Sequence, residues 1–446
     1  MRKTAIEANC VRPISKLPHG DMEVSLNIII KDPVLGGTVK AIASKSQAHR
    51  LLISSALSDS PVELICTESS EDIEATARCL KGLGAHIVKT DVGFHITPIS
   101  TAPRSASLDC GESGSTLRFM LPIACALGVN AAFYSSGRLP QRPLSPLYEE
   151  LIAHGCSLSE QGTVPLRCAG QLKHGRYTIS GGISSQFISG LLFALPLLSG
   201  DSVLEVTGHI ESRSYIDLTL SALSKFNINI PEQNSSFLID GNQKYISPEK
   251  AVVEGDWSNA AFWLCAGAIS HKPVTCTGLN HDSRQGDRAI SELLREFGAN
   301  VEIDEDSITV CCGSLTGMEI DARHIPDLVP VLAAVASVSK GRTLIKNAGR
   351  LRFKESDRLK TVEETLKTLG ADIRQTDDGL IISGKERLRG GRISSFGDHR
   401  IAMSAAIIAG RCLEPVIITG AEAVNKSYPS FFDDYISLGG SVQMLQ

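Results

Sequence analysis

The sequence predicts an α/β protein of two domains, each assembled from three repeated units of about 70 residues. Three observations predict it: a helix-stop pattern that recurs at a constant interval, a second series of apolar helix starts at the same interval, and a length beyond what one hydrophobic core fills. The chain has 446 residues, about three ordinary domains. Its composition, 42% apolar and 21% charged, is that of a folded globular chain and excludes a disordered or collagen-like one.

The helix stops come first. A Leu or Phe (His in the second copy), small or polar residues and then an apolar residue opening a strand recur from Leu83, His154, Phe226, Phe297, Leu369 and Leu438, at intervals of 71, 72, 71, 72 and 69. Each copy follows a segment with helical apolar spacing, such as Ile290, Leu293, Leu294 and Phe297. Glycine just past the last turn is a helix stop. Turn residues then separate two short apolar runs, as in Glu305-Asp306 before Ile308 and Asp378-Gly379 before Leu380, which reads as a hairpin.

The second series, Lys45, Gly114, Ser184, Trp257, Asp327 and His399, opens a more apolar helix at intervals of 69, 70, 73, 70 and 72. Each unit therefore reads strand, helix, strand, helix, hairpin. The last copy ends after its first hairpin strand, so another segment must complete it, and residues 27–42 are the apolar donor available. The division expected is residues 1–26 as a loosely attached extension, 43–250 as domain one, and 27–42 with 251–446 as domain two. Solenoid repeats run to about 20–50 residues, so units of this size are better grouped as three plus three. Two chain crossings near residues 42 and 250 suit a hinge rather than a flexible tether.

Charge and motif searches narrow the function. Forty-four Lys and Arg against 49 Asp and Glu leave a net charge of −5, which disfavours nucleic acid and anionic membranes as main partners. No stretch reaches the roughly 18 apolar residues of a spanning helix, and no secretory apolar region follows Arg2 and Lys3. The twelve Cys form no C-x-x-C pair, so neither a zinc site nor a disulfide framework is signalled, and the location expected is the cytoplasm. Neither a P-loop nor a dinucleotide fingerprint occurs.

What remains distinctive is where the polar residues gather. The second helix series opens with Ser44-Lys45-Ser46 and Arg50, Ser113-Gly114 with Arg118, Ser184-Ser185-Gln186, Glu254-Gly255-Asp256, Ile325-Pro326-Asp327 and Asp398-His399-Arg400. A helix N-terminus presents free N–H groups and a positive dipole end, so Gly or Ser there with a cation one turn on favours an anion. Ser and Asp at such positions also serve as plain N-caps. Further cations cluster in Arg138-Leu139-Pro140-Gln141-Arg142-Pro143, in Arg350 to Arg358, and at Lys426. A charge run is usually a solvated face, but these lie at helix starts too.

As a set, these motifs, with Ser212 to Tyr215 and Lys354-Glu355-Ser356-Asp357-Arg358, resemble those of the 3-phosphoshikimate 1-carboxyvinyltransferase family of enolpyruvyl transferases, from about Ile28 onward. The resemblance implies an inside-out, barrel-like α/β fold of two domains with substrates in the cleft between them. It implies transfer of the enolpyruvyl group of phosphoenolpyruvate to the 5-hydroxyl of shikimate 3-phosphate through a tetrahedral ketal, in a monomer without metal or organic cofactor. Two phosphates and two carboxylates bring on the order of five to six negative charges together. Nine candidate cations answer them: Lys45, Arg50, Arg118, Arg138, Arg142, Lys354, Arg358, Arg400 and Lys426.

Carried over by resemblance, shikimate 3-phosphate is expected on Lys45, Ser46, Arg50, Ser184, Ser185, Gln186, Ser212, Asp327 and Lys354. Phosphoenolpyruvate is expected on Lys45, Gly114, Arg138, Gln186, Arg358, Arg400 and Lys426. Asp327 is expected to accept the hydroxyl proton, and Glu355 to protonate the methylene carbon and later deprotonate the methyl group, with Lys45 as the third catalytic residue. Two bland readings stand beside these: Asp327 as an N-cap and Glu355 as a surface partner of Lys354 or Arg358. Three positions depart from the family pattern: Glu112 where Asn is common, Phe119 where Pro is common, and Arg350 where an Asn often touches shikimate 3-phosphate. The related UDP-N-acetylglucosamine enolpyruvyl transferases carry a reactive Cys in the loop at Gly137 to Pro143, and none is present here.

Overall fold

Each recurring stop is a helix C-terminus followed by a residue with positive φ. In the computed structural model, which describes residues 26–31 and 33–445, these residues are Gly84, Gly155, Asn227, Gly298, Gly370 and Gly439. Gly298, at φ +100°, ends the helix Ile290–Phe297. Asn227 takes the same role at φ +61°, as the side chain best suited to replace glycine there. The expected extension falls, up to residue 25, outside the described residues.

The second unit displays the common plan. Strand Ser105–Asp109, helix Gly114–Ala126, strand Asn130–Tyr134, helix Leu147–Ala153 and the hairpin Cys156–Leu158 with Leu166–Gly170 follow in order. The first two strands pair in parallel, and the others antiparallel, giving a spatial order of first, second, fourth, third. Six four-stranded sheets repeat that order. The second-series helices lie innermost: all thirteen residues of Trp257–Ile269 are buried, as a helix apolar all round must be. The other series is amphipathic, burying Ile290, Leu294 and Phe297 on one side.

Three strands are donated across the sequence. Asn27–Ile30 completes the last sheet, with Ile28 opposite Ile418 on one side and Met444 on the other. Gly37–Lys40 instead opens the fourth unit's sheet, parallel to Val274–Thr277. The donor segment thus serves two sheets, where the sequence pattern assigned it to one. Lys250–Val252 closes the first unit's sheet against Val62–Ile65, so the expected boundary at residue 250 falls inside a strand. In the third unit the hairpin opens only at Glu232, several residues after the apolar position expected to open it behind Phe226; Pro231 has no N–H for a ladder.

Buried apolar side chains form two clusters, one of residues 43–253 and one of 28–42 with residues from 257 onward. The two crossings between them run side by side. Ser44 N donates to Glu254 O at 2.8 Å, Asp256 N donates to Ile42 O at 2.8 Å, and Ala43 bridges Gly255. In the first domain the helices Gly114–Ala126 and Ser185–Ala194 meet where Gly190 lies against Arg118 O, an approach that leaves no room for a Cβ. That contact brings Arg118 and Gln186 to the same end of the helix pair. Among the described residues no helix is long and apolar enough to cross a membrane.

Candidate active site

Five of the six inner helices, from both domains, bring their first residues to one cavity of about 530 Å³ between the two clusters; the start of Trp257–Ile269 is not part of its lining. Five of the six starts are capped by the side chain before them: Ser44, Ser113, Ser184, Asp256 and Asp398 accept from the backbone N–H of Gln47, Thr116, Gln186, Asn259 and Arg400. The sixth differs. Asp327 sits inside the opening turn Pro326–Leu328 and caps nothing; its carboxylate receives the Tyr215 hydroxyl at 3.0 Å and Arg358 Nη1 at 2.8 Å. Arg400 Nη2 stands 3.3 Å away and Lys354 Nζ 3.5 Å.

Glu355 is likewise no surface residue. Its carboxylate accepts from Arg358 Nη2 at 2.7 Å and has Arg142 Nη1 at 3.9 Å. Arg358 is the hub, buried with 1% exposure, and its Nε donates to the wholly buried Asp398 at 2.8 Å. Burial raises the proton affinity of both Asp327 and Glu355, but the cations outweigh it: Arg400, Lys354, Arg358 and Lys45 for Asp327, and Arg358, Arg142 and Lys354 for Glu355. Both carboxyls are held well below the usual carboxylate range.

Two further clusters face the same space. Gln186 Oε1 accepts from Arg118 Nη1 at 2.7 Å, and its Nε2 donates to Ser115 Oγ at 2.8 Å. Gly114 leaves the helix start open to Arg142, whose Nη1 would stand 2.6 Å from a Cβ there. Arg50 donates to Ser46 O at 2.6 Å and Tyr215 O at 2.8 Å, with Phe119 packed 5.2 Å beneath its guanidinium. Arg350 donates to Ser212 Oγ at 2.7 Å from the opposite domain and pairs with Glu211 at 3.3 Å. Phe119 and Arg350, two departures from the family pattern, thus both support site residues.

The lining carries eight cationic side chains, Lys45, Arg50, Arg118, Arg142, Arg350, Lys354, Arg358 and Arg400, against three acidic ones, Asp72, Asp327 and Glu355. The excess of five positive charges approaches what two phosphorylated acids bring. Burial drives the Lys354 ammonium down to about 8 and the Arg50 guanidinium down to about 10, the mark of cations short of counter-charge. Arg118 Nε and Arg400 Nε are buried without an acceptor.

Of the residues expected from sequence, Lys45, Ser46, Arg50, Gly114, Ser184, Ser185, Gln186, Ser212, Asp327, Lys354, Glu355, Arg358 and Arg400 line the cavity. Arg138 and Lys426 do not. Arg138 is exposed, because Leu139 buries itself and the turn Leu139–Gln141 swings the loop so that Arg142 points inward. Lys426 is held outside by Glu112 and by Gly397 O, the latter at 2.7 Å. Sequence reasoning gave no role to Asp72, Tyr215 or His399. Asp72 holds Lys45 Nζ at 3.1 Å, yet in the sequence it is an acidic residue in a helix's first turn, a common pattern. His399 lies in the lining with both ring nitrogens unpartnered, kept neutral by burial and by Lys45, Arg400 and Arg358.

The Arg358–Asp398 pair yields a stability prediction. Asp398→Ala takes the acceptor from the buried Arg358 Nε, leaving only Asp327 and Glu355 on that guanidinium, and also removes the cap on Arg400 N and the acceptor of Ser356 Oγ. The expected loss is about 3–5 kcal/mol, read as a fall in the urea midpoint. A loss under about 1 kcal/mol would mean that Glu355 and Asp327 suffice for Arg358.

The sequence profile of the family described as EPSP synthase (3-phosphoshikimate 1-carboxyvinyltransferase) matches residues 31–435. The chain is 46% identical over 418 residues to the 3-phosphoshikimate 1-carboxyvinyltransferase of Clostridium kluyveri, covering 93% of this chain and 98% of that one. It is 44% identical to that of Clostridium acetobutylicum, covering 92% and 96%. Among solved structures, the EPSP synthase of Acinetobacter baumannii superposes with a TM-score of 0.78 at 25% identity, covering 94% of this chain and all of that one. An enolpyruvyl transferase of Streptomyces tendae shares the fold at TM-score 0.77 and 18% identity, covering 94% and 99%.

Proposed function

Because the chain belongs to the EPSP synthase family, and so transfers the enolpyruvyl group of phosphoenolpyruvate to the 5-hydroxyl of shikimate 3-phosphate, we propose that its cavity seats both substrates at once around Asp327 and Glu355. The observation that carries this reading is the placement of those two carboxylates, both held ionised by cations that include Lys354 and Arg358, in one cavity with an excess of positive charge. Shikimate 3-phosphate lies on the side of Ser46, Arg50, Ser184, Ser185, Ser212 and Lys354. Phosphoenolpyruvate lies toward Gly114, Arg358 and Arg400, with Arg142 in the role that sequence gave to Arg138. Lys45 and Gln186 face both substrates.

The chemistry follows from charge. On its own contacts Asp327 is a weak base, because three cations and a phenol hold it. Substrate phosphates and carboxylates draw Lys354, Arg358 and Arg400 toward themselves and raise its proton affinity. Asp327 then takes the 5-hydroxyl proton as the oxygen attacks C2 of phosphoenolpyruvate. Glu355, its proton affinity raised in the same way, takes a proton from solvent and delivers it to the methylene carbon, giving the ketal. The C–O bond to phosphate then breaks, phosphate leaves with the proton held by Asp327, and Glu355 takes a proton back from the methyl group. The cysteines of the described residues are free thiols, which suits a cytoplasmic location.

Lys354 supplies the test. Its ordinary value near 10.5 is depressed by burial to about 8, so between these values the folded protein binds fewer protons than the unfolded chain and gains stability as pH rises. A bound phosphate reverses the shift, so ligation above about pH 8 takes up a proton. The KM for shikimate 3-phosphate is expected to rise up to about tenfold per pH unit above 8, and Lys354→Arg to flatten that limb. Identical profiles for the two proteins would remove Lys354 from the shikimate 3-phosphate site.

A further inference from the structure

Lys426 and Glu112 belong to opposite domains, and the ion pair between them closes the rim of the cavity on the side of the helix start Asp398–Arg400. The Lys426 ammonium spends one donor on Glu112 and another on Gly397 O at 2.7 Å. The carboxylate of Glu112 in turn lies over Gly137, where a Cβ would collide with it, and Arg138 follows directly. Of the two cations expected from sequence at the phosphoenolpyruvate site but absent from the lining, Lys426 is therefore bound by this carboxylate, and Arg138 follows the glycine beneath it. Glu112 also sits just before the Ser113-Gly114 start to which that substrate is assigned. With side-chain exposures of 14% for Lys426 and 34% for Glu112, the pair is reached by solvent and can be exchanged for a ligand without unfolding its surroundings.

We propose that Glu112 is an internal competitor of phosphoenolpyruvate for Lys426 and so sets how tightly this protein holds that substrate. The inference rests on the reading of Lys426 as a phosphoenolpyruvate residue. An anion that takes the ammonium must displace the carboxylate, and after displacement the carboxylate remains near a trianionic ligand. Both effects weaken binding of phosphoenolpyruvate, and neither touches shikimate 3-phosphate, which sits against Arg50 and Ser184 in the first domain. An asparagine or glutamine at this position can accept from Lys426 without holding it by charge.

Steady-state kinetics with phosphoenolpyruvate varied at saturating shikimate 3-phosphate test this. Glu112→Gln and Glu112→Ala are each expected to lower the KM for phosphoenolpyruvate about three- to tenfold. The gain should shrink as salt is added, and the KM for shikimate 3-phosphate should stay put. Lys426→Met is expected to raise the KM for phosphoenolpyruvate at least about tenfold. In the double variant Glu112→Gln, Lys426→Met, the gain from the glutamine should vanish. If Lys426→Met raises that KM while both Glu112 variants leave it unchanged or raise it, the competition is refuted, and Glu112 serves instead to position Lys426. If Lys426→Met leaves it unchanged, the reading of Lys426 itself fails and the competition fails with it.

Discussion

Asp327→Ala lowers kcat by about 10²–10⁴-fold, the range spanned by a positioned acid–base group, and it also destabilises the ligand-free protein. Two losses are expected because the carboxylate has two duties. It stands ready for the hydroxyl proton, and it separates Lys354, Arg358 and Arg400 from one another. Its removal leaves those cations facing each other across a partly dry space. Arg358 keeps Asp398 and Glu355, so the cost should fall short of stranding a buried charge altogether, at about 1–3 kcal/mol. Saturating shikimate 3-phosphate, whose phosphate supplies the missing counter-charge, should restore most of the lost melting temperature without restoring turnover. Wild-type turnover in the variant would dismiss Asp327 as the base. A melting deficit indifferent to the ligand would dismiss the counter-charge argument.

Glu355→Gln keeps the shape of the side chain and removes its proton chemistry. We expect kcat to fall by about 10²–10⁴-fold while both substrates still bind. A second signature separates this from a packing defect. Protonation and later deprotonation at the same carbon exchange methylene hydrogens with solvent, so deuterium should enter phosphoenolpyruvate and product in the wild type and fail to do so in the variant. The Arg358–Glu355 contact at 2.7 Å gives way to a weaker neutral hydrogen bond, which leaves Arg358 still tied to Asp398. Exchange at the wild-type rate in Glu355→Gln would transfer the role elsewhere, with His399 the nearest untitrated candidate in the lining.

How much of this was legible in the sequence depends on the kind of interaction. The six units were legible because each carries a local signature, a helix stop at positive φ, that needs no partner to be recognised. The helix starts were legible for the same reason. The destination of a donated strand was less so: Asn27–Ile30 and Gly37–Lys40 lie close together in one segment, and only pairing across hundreds of residues separates their sheets. Side-chain direction in the Arg138–Pro143 loop was not legible at all. Three residues separate two arginines of equal chemistry, and the burial of Leu139 decides which one faces the cavity. Asp72 was hidden because an acid in a first helical turn is adequately explained by the helix dipole. The reverse held for Asp327, whose alternative as a cap dissolved once the turn Pro326–Leu328 was seen to leave its carboxylate pointing at cations.

The donated strands also set a timetable for the nascent chain. Lys250–Val252 closes the first unit, so the first domain has all its strands once residue 252 has left the ribosome. The apolar strand Asn27–Ile30 has no such early partner: Ile28 meets Ile418 only after 390 further residues have been made. At synthesis rates of about 5–20 residues per second, that strand waits on the order of 20–80 s with its edges open. One domain thus completes its sheets during synthesis and the other only near its end, which makes the unpaired N-terminal strand the segment a chaperone would have most reason to hold.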